Sequence, residues 1–251
     1  MTSLRIAAVY PDLLGTYGDR NAEILAARAR WRSIGVEFFD AVSSEALPAA
    51  DIYCIGGGED GPQVLAARRL RQDASFLSAV EGGAVVLAVC AGFQIVGTSF
   101  PDARGGAVEG VGLLDVSTTK GTGPRAVGEI IVTVPTLSEG GLGLGLLTGF
   151  ENHGGITTLG PGVRPLGAVE LGVGNGAAGG TEGAWSGRVV GTYLHGPVLS
   201  RNPALADLLL SWATGRTELD PLDDYREDEL RRERLGVLNV ANGRGASAPK
   251  P

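Results

Sequence analysis

The chain has 251 residues, of which 43% are hydrophobic, and a formal net charge of −7. This is enough apolar material for a substantial core, and the acidic balance argues against nucleic acid as a partner. No run reaches the ~18 consecutive apolar residues of a transmembrane segment. With two cysteines and no export signal, we expect a cytoplasmic protein with free thiols.

The first half of the chain alternates between short apolar runs and helical patterns. The apolar runs predict strands at residues 4–9, 36–39, 51–55 and 84–89. Asp19 is the expected N-cap of a helix at 21–34, and the stripe Leu70–Ala74–Leu77–Val80 predicts one further helix after the turn GGGEDGP. This alternation predicts an α/β fold with a mostly parallel sheet and helices on both faces.

After residue 110 the pattern changes to strand-like runs separated by glycine-rich turns. These runs lie at 129–134, 165–170, 182–185 and 188–194. They predict a more antiparallel half that is added to the same sheet.

The C-terminal part is predicted to be helical and then disordered. Asn202 is the expected cap of a helix that has Pro203 at its first position. A last helix is predicted at 221–235, with Asp220 as its cap. We assign residues 1–238 to one domain and 239–251 to a disordered tail.

Cys90 stands in the segment AVCAGFQI, where the fourth predicted strand ends and a helical pattern begins. A side chain at the carboxyl end of a parallel strand faces the ligand crevice of an α/β fold, and a helix N-terminus lowers a thiol pKa. The small neighbours Ala91 and Gly92 suit the sharp turn of a nucleophile elbow. Cys90 is therefore a nucleophile or a buried core residue, whereas Cys54, inside a strand, is expected to be structural.

A nucleophilic cysteine needs a base, and the chain has two histidines. His195, in GTYLHGP, follows a predicted strand and is expected to face the same crevice as Cys90. His153, in GFENHGG, lies in a predicted loop, where a turn or hydrogen-bonding role is favoured over catalysis. Two histidines without clustered cysteines or carboxylates predict no metal site.

Together these segments resemble the class I glutamine amidotransferases, in their cobyric-acid-synthase-like branch. Within that branch, the motifs YPDLLGTYGDRN, GGGEDGPQ, GFENHGG, GTEG and GTYLHGPVLSRNPALAD are similar to the GatD family, the glutaminase subunits of lipid II isoglutaminyl synthases. The resemblance covers about residues 4–214 and implies a flavodoxin-like three-layer sandwich.

The resemblance also implies a mechanism. The Cys90 thiolate attacks the side-chain amide of glutamine, and His195 protonates the leaving ammonia and then activates water to hydrolyse the thioester. Backbone N–H groups of Gly57, Gly58 and Ala91 are expected to stabilise the tetrahedral oxyanion.

Two further residues are candidates for binding the substrate. Arg125, in KGTGPRAVGE, is the candidate partner of the glutamine α-carboxylate, because a guanidinium makes a bidentate pair with a carboxylate. The alternative for Arg125 is an exposed loop residue without a role in binding. Gln94, four residues after the nucleophile, is the second candidate.

The third catalytic group is left open by the sequence. Many class I amidotransferases have a glutamate two residues after the histidine, but here His195 is followed by Gly196 and Pro197, and proline cannot orient an imidazole. An acid elsewhere in the chain, with Glu151 and Glu182 as candidates, is one possibility. A Cys–His dyad and an acid from a partner subunit are the others.

The sequence also lacks the phosphate loop G-x-x-x-x-G-K-[ST]. The resemblance therefore implies a separate MurT-like, ATP-dependent ligase, which uses the ammonia to amidate D-glutamate of lipid II to D-isoglutamine in peptidoglycan synthesis. ATP and Mg²⁺ are expected on that partner, and no cofactor is expected in this chain. The alternatives are another acceptor such as a cobyrinate-type carboxylate, a non-catalytic amidotransferase-like binding subunit, and a Cys–His hydrolase.

Overall fold

The computed structural model describes residues 3–16, 19–176 and 180–241, which fall into one compact unit up to Asp220 and a second from Pro221. The strands are β1 (Leu4–Val9), β2 (Val36–Ala41), β3 (Ile52–Ile55), β4 (Val85–Val89), β5 (Ser99–Pro101), β6 (Ala107–Glu109), β7 (Val116–Lys120), β8 (Ala126–Val134), β9 (Gly145–His153), β10 (Gly155–Leu159), β11 (Gly167–Leu171), β12 (Thr181–Glu182), β13 (Ala184–Ser186) and β14 (Val189–Thr192). The helices are α1 (Pro11–Leu14), α2 (Asn21–Trp31), α3 (Asp60–Gln72), α4 (Ala74–Glu81), α5 (Ala91–Val96), α6 (Val198–Arg201), α7 (Pro203–Thr214) and α8 (Tyr225–Ala241). None of the helices within these described ranges combines the length and hydrophobicity needed to cross a bilayer.

A six-stranded sheet forms the centre of the first unit, in the order β13-β14-β4-β3-β1-β2. Its strands are parallel except for the hairpin of β13 and β14. All residues of β3, β4 and β14 are buried, as expected for strands that are covered on both faces. The predicted α/β fold with a mixed, mostly parallel sheet is confirmed.

Two groups of helices cover this sheet. Helix α2 packs against β1 and β2 and contacts α6 and α7, whereas α3 contacts α1, α4 and α5. The predicted helix around the Leu70–Val80 stripe is in fact two helices, because Asp73 ends α3 and accepts a hydrogen bond from the Phe76 amide as the N-cap of α4. The break rotates the second helix, so that Phe76 is buried and Ala74 is exposed.

The predicted addition of an antiparallel half to the central sheet is correct only in part. The runs 182–185 and 188–194 overlap β13 and β14, which form an antiparallel hairpin in that sheet, but 129–134 and 165–170 overlap β8 and β11 of a separate four-stranded sheet, β12-β11-β8-β9. A second separate sheet has the order β10-β7-β5-β6. The long β8–β9 ladder pairs nine residues of each strand, and β9 includes the GFENH segment that was predicted to be a loop. Strands β9 and β10 were not predicted from the sequence. Their segments are rich in glycine, which is depleted in strands and therefore weakens the strand pattern.

Two predicted helix caps are wrong. The N-cap of α2 is Arg20, in a left-handed conformation with φ 41°, and not Asp19, whose carboxylate bonds elsewhere. The last helix begins at Tyr225, after Asp220, because the Asp223 carboxylate accepts the Tyr225 amide.

The helix after Asn202 begins as predicted, with Pro203 in its first turn. The Asn202 side chain does not cap it. Its amide instead bonds to both the N–H and the carbonyl of Thr148, and so ties α7 to β9. The assignment of one domain over 1–238 stays a prediction. The predicted tail begins too early, because residues 239–241 belong to α8, and its remainder from 242 onward lies outside the described residues.

Candidate active site

Cys90 occupies a strained turn between β4 and α5. Its backbone has φ 55° and ψ −106°, a conformation that non-glycine residues rarely adopt and that is found mainly at functional sites. The Cys90 amide donates to the Thr192 carbonyl at 2.8 Å, so the turn is anchored to β14. A side chain at Gly92 would place its Cβ 2.4 Å from the Ile55 carbonyl oxygen, so only glycine lets α5 start this close to β3.

His195 follows β14 and reaches the same end of the central sheet. Its backbone N–H and carbonyl form a two-way bridge with Phe150 of β9, at 2.9 and 3.1 Å. The ring is nearly buried, with 4% of the residue exposed. Burial alone would lower the pKa of His195, but hydrogen bonds with Asp19 and with the Cys90 side chain outweigh it and raise the pKa to about 10. The fold thus brings Cys90 and His195 into contact from strands β4 and β14, which are neighbours in the sheet.

Asp19 is the acid that contacts His195, and the sequence interpretation missed it. Nδ1 of His195 donates to Oδ2 of Asp19 at 2.7 Å, and the other carboxylate oxygen accepts the Gly196 amide at 3.3 Å. Asn21, two residues further, accepts the Leu199 amide. An aspartate before a helical pattern was interpreted as a cap. Its place inside the motif YGDRN was the available signal for another role.

The two predicted acids bond to the backbone of other loops. Glu182 accepts from the Tyr193 amide at 2.6 Å, and Glu151 accepts from the amides of Val173 and Gly174 at 2.8 and 2.9 Å. An acid of this chain therefore orients the imidazole, but it is neither of the two that the sequence suggested.

A cavity of about 320 Å³ opens beside Cys90. Its walls come from the C-terminal ends of β3 and β4 and from the antiparallel strands, and include Gly58, Asp60, Cys90, Ala91, Gln94, Asp102, Lys120, Arg125, Asn152 and His153. The volume suits one small, polar ligand. Five of the predicted site residues line this cavity: Cys90, Gly58, Ala91, Arg125 and Gln94.

The predicted oxyanion donors come from the loop after β3 and from the start of α5. Gly57 is buried and Gly58 lines the cavity after β3. Ala91 is the first residue of α5, and the first amides of an α-helix have no acceptor within the helix. The Gly92 amide, by contrast, bonds to the Gly56 carbonyl at 3.1 Å. The roles of Gly57, Gly58 and Ala91 stay predictions.

Arg125 lies on the wall formed by the antiparallel half. Nη2 of its guanidinium donates to the backbone and side-chain oxygens of Asn152, both at 3.1 Å. This fixes an exposed arginine at the rim of the cavity, where a carboxylate of the ligand could bind.

Gln94 is part of a buried hydrogen-bond network. Its oxygen accepts from Nε2 of Gln63 at 2.8 Å, and its amide donates to the Tyr193 hydroxyl at 3.2 Å. The same hydroxyl lies 2.6 Å from that of Thr157. Both ends of the Gln94 amide are thus engaged within the protein, so its predicted contact with substrate stays a prediction.

His153 stacks on Tyr193, with ring centroids 3.8 Å apart, and its Nδ1 lies 3.2 Å from the Gly155 carbonyl oxygen. The predicted hydrogen-bonding role is confirmed by this contact. Cys54 is buried inside β3, as predicted, and burial followed by the Glu23 carboxylate raises the pKa of its thiol. The thiol of Cys54 is thereby held in its neutral, unreactive form.

Comparisons with known proteins identify the family to which the chain belongs. The family model of the CobB/CobQ-like glutamine amidotransferase domain matches residues 5–203. A crystal structure of a glutamine amidotransferase superimposes with a TM-score of 0.57 at 19% identity, over 83% of this chain and 99% of that one, and so shares the fold. The protein is therefore a class I glutamine amidotransferase.

Two relatives that match this chain over nearly its full length identify the family more closely. The GatD subunit of the glutamine-hydrolysing lipid II isoglutaminyl synthase of Staphylococcus aureus strain N315 is 34% identical, over 96% of this chain and 98% of its own length. That of Streptococcus pneumoniae R6 is 33% identical, over 95% and 93%. The chain belongs to the GatD family.

Proposed function

We propose that the protein is the glutaminase subunit of a lipid II isoglutaminyl synthase and that it hydrolyses glutamine through a thioester on Cys90. The observation that supports this most is the Cys90–His195–Asp19 arrangement beside a polar cavity, in a chain that matches GatD subunits over nearly its full length. Despite burial, hydrogen bonds with Asp19 and Cys90 raise the pKa of His195 to about 10, so its ring carries the proton that the leaving nitrogen needs.

The hydrolysis has two halves. The Cys90 thiolate attacks the amide carbon, and the oxyanion is stabilised by the amides of Ala91 and of the Gly57–Gly58 turn. The tetrahedral intermediate collapses as His195 gives its proton to the leaving nitrogen, which releases ammonia and leaves the γ-glutamyl thioester. His195 then takes a proton from water, the hydroxide attacks the thioester, and glutamate leaves while the thiolate is restored.

Glutamine is held with its amide at Cys90 and its α-carboxylate at Arg125. The two residues line the same cavity from opposite halves of the molecule, so only a ligand with two polar ends would bridge them. Asp19 binds Nδ1 of His195, and this bond would hold the ring in the tautomer that leaves Nε2 to serve Cys90.

The ammonia would pass to a MurT-like, ATP-dependent ligase that amidates D-glutamate of lipid II to D-isoglutamine. This part of the proposal is supported by the relatives, which are named as subunits of such a synthase. ATP and Mg²⁺ belong to that partner, this chain needs no cofactor of its own, and both proteins would work in the cytoplasm, where ATP is available.

The test begins with the glutamine analogue diazo-oxo-norleucine, which alkylates the nucleophile of glutaminases. We expect one adduct by mass spectrometry, on Cys90 and not on Cys54, and none in Cys90→Ser. A protein that shows no adduct, even with its co-purified partner, would rule out the thioester route.

Co-purification from the source cell then identifies the acceptor. A MurT-like ligase that amidates lipid II with glutamine as the nitrogen donor supports the proposal. A partner that amidates a cobyrinate-type carboxylate instead would retain the chemistry at Cys90 and overturn the acceptor.

A further inference from the structure

Glu182 is fully buried and holds the segment that leads to His195. Its Oε1 accepts two hydrogen bonds, from the Tyr193 amide at 2.6 Å and from the Thr192 hydroxyl at 2.9 Å. The two donors lie at the end of the β14–β4 ladder, since Thr192 is its last paired residue and Tyr193 is the first residue beyond it.

The hydroxyl of Thr192 extends this support by one residue. It accepts the Leu194 amide at 3.0 Å while donating to Glu182. The two amides that lose their strand partners, at Tyr193 and Leu194, are therefore satisfied by Glu182 directly or through Thr192. The next residue, His195, is bridged to β9, so the backbone N–H groups of residues 193, 194 and 195 all have partners.

Burying this carboxylate is unfavourable by itself. Burial raises the pKa of Glu182 to about 7 despite the hydrogen bonds from Tyr193 and Thr192, and Oε2 has no hydrogen-bond partner among the described residues. An unpartnered buried oxygen destabilises the fold. An apolar side chain at position 182 would avoid the unfavourable burial of a carboxylate. It would, however, leave the Tyr193 amide without an acceptor.

We propose that Glu182 is a positioning residue for glutamine hydrolysis: it fixes the backbone of residues 192–194 so that His195 is presented to Cys90. This inference rests on the proposed function. Asp19 orients the ring from one side, and Glu182 sets the position of the chain that carries it. Glu182 acts through the backbone, and its effect belongs to the catalytic step rather than to binding of glutamine by Arg125.

The test compares Glu182→Ala with Glu182→Gln, assayed as glutamate released from L-glutamine with the co-purified partner. We expect Glu182→Ala to lower kcat about 100-fold, because a misplacement of about 1 Å costs this much, with KM within about twofold. Glu182→Gln keeps an oxygen that can accept both hydrogen bonds, so it should retain kcat to within about fivefold. Retention of kcat in Glu182→Gln would show that the hydrogen bonds, and not the negative charge, are needed.

Two more variants keep the test decisive. Thr192→Val removes the hydroxyl with little change of shape and should lower kcat in the same way, even if Glu182→Ala does not fold. Glu170→Ala is the matched control, because Glu170 also accepts a threonine hydroxyl, from Thr133, but is exposed on β11.

Either of two results would overturn the inference: wild-type kcat in both Glu182→Ala and Thr192→Val, or a loss in Glu182→Gln as large as in Glu182→Ala. Failure of the proposed function looks different, since the wild type itself would then neither release glutamate nor be labelled at Cys90.

Discussion

The two halves of the molecule contribute different parts of the site. The parallel sheet carries the proposed reactive groups, because Cys90 and His195 follow the adjacent strands β4 and β14 at their carboxyl ends. The antiparallel half supplies walls, with Arg125 just before β8 and Asn152 and His153 at the end of β9. The proposed reactive groups thus follow short, fully buried strands, whereas the residues proposed to meet the rest of the ligand lie beside or on the partly exposed strands β8 and β9.

This difference indicates that burial alone does not decide whether a cysteine is suited to act as a nucleophile. Cys54 and Cys90 are equally buried, at 7% exposure, and β3, which contains Cys54, is adjacent to β4, which Cys90 follows. Cys54 lies within its strand, where burial raises its pKa. Cys90 lies one residue beyond its strand, in contact with an imidazole and at a helix N-terminus. We therefore expect changes in the parallel half to act on kcat and changes in the antiparallel half to act on KM.

The largest effect is expected from Cys90→Ser. Removing the thiolate should lower glutamine hydrolysis by at least about 10⁴-fold, measured as glutamate release. Cys54→Ser is the matched control and should hydrolyse glutamine at a rate within about twofold of wild type, because its thiol is neutral and within a strand. Equal losses in both variants would remove the distinction between the two strand positions.

His195→Gln comes next. Without the imidazole, neither the leaving ammonia nor the attacking water has a proton carrier, so kcat should fall about 10²–10⁴-fold. Labelling of Cys90 by iodoacetamide should also slow near neutral pH, because the thiolate loses its cation. Unchanged labelling would show that the thiolate does not depend on His195.

Asp19→Asn should have a smaller effect, a loss of about 10²-fold in kcat, which is the lower end of what general acid–base catalysis contributes, since the ring remains but its orientation and charge are less stabilised. Asp19 helps to raise the pKa of His195 to about 10. In the variant, the alkaline limb of the pH profile of kcat should therefore lie at a lower pH than in the wild type. A pH profile of kcat with the same alkaline limb as the wild type would contradict this role of Asp19.

The same ion pair affects stability. A histidine with a raised pKa stabilises the fold fully below its ordinary pKa, and the stabilisation is lost as pH rises through the folded-state value of about 10. The unfolding free energies of wild type and Asp19→Asn should therefore differ most near about pH 6 and converge above about pH 10, as measured by urea denaturation.

Arg125→Ala gives the smallest expected effect on the chemical step and tests the antiparallel half. The KM for glutamine should rise about 10–100-fold, while kcat stays within about threefold. The bidentate pair with the α-carboxylate is present in both the bound ground state and the transition state, so its loss weakens both equally. Arg188→Ala, which removes an exposed arginine that bonds to Gly83, is the control. A fall in kcat with unchanged KM would break the division between the two halves.

Several parts of this molecule were predictable from local patterns. The strand ending at Val89, the small residues after it and the strand before His195 all follow from the distribution of apolar residues. The bend at Cys90 followed from residue size, since only small neighbours such as Gly92 allow the close approach to Ile55.

The errors have a shared cause. The break at Asp73 and the cap at Arg20 depend on which of several competing hydrogen bonds a side chain makes, and that choice depends on distant partners. The separate antiparallel sheets were missed because pairing partners such as β8 and β11 are far apart in the chain. The residue pattern of a strand does not indicate which other strand it pairs with.

The amino-acid sequence by itself determined the parallel core and the reactive turn, because burial, chain bending and residue size act over a few neighbouring positions. Only the tertiary structure decided that Asp19 partners His195, since these residues are 176 positions apart and any of several acids was chemically suitable. It also decided that Glu182 supports the histidine through the backbone, because a carboxylate bonds to whichever buried N–H groups the completed fold leaves without a partner.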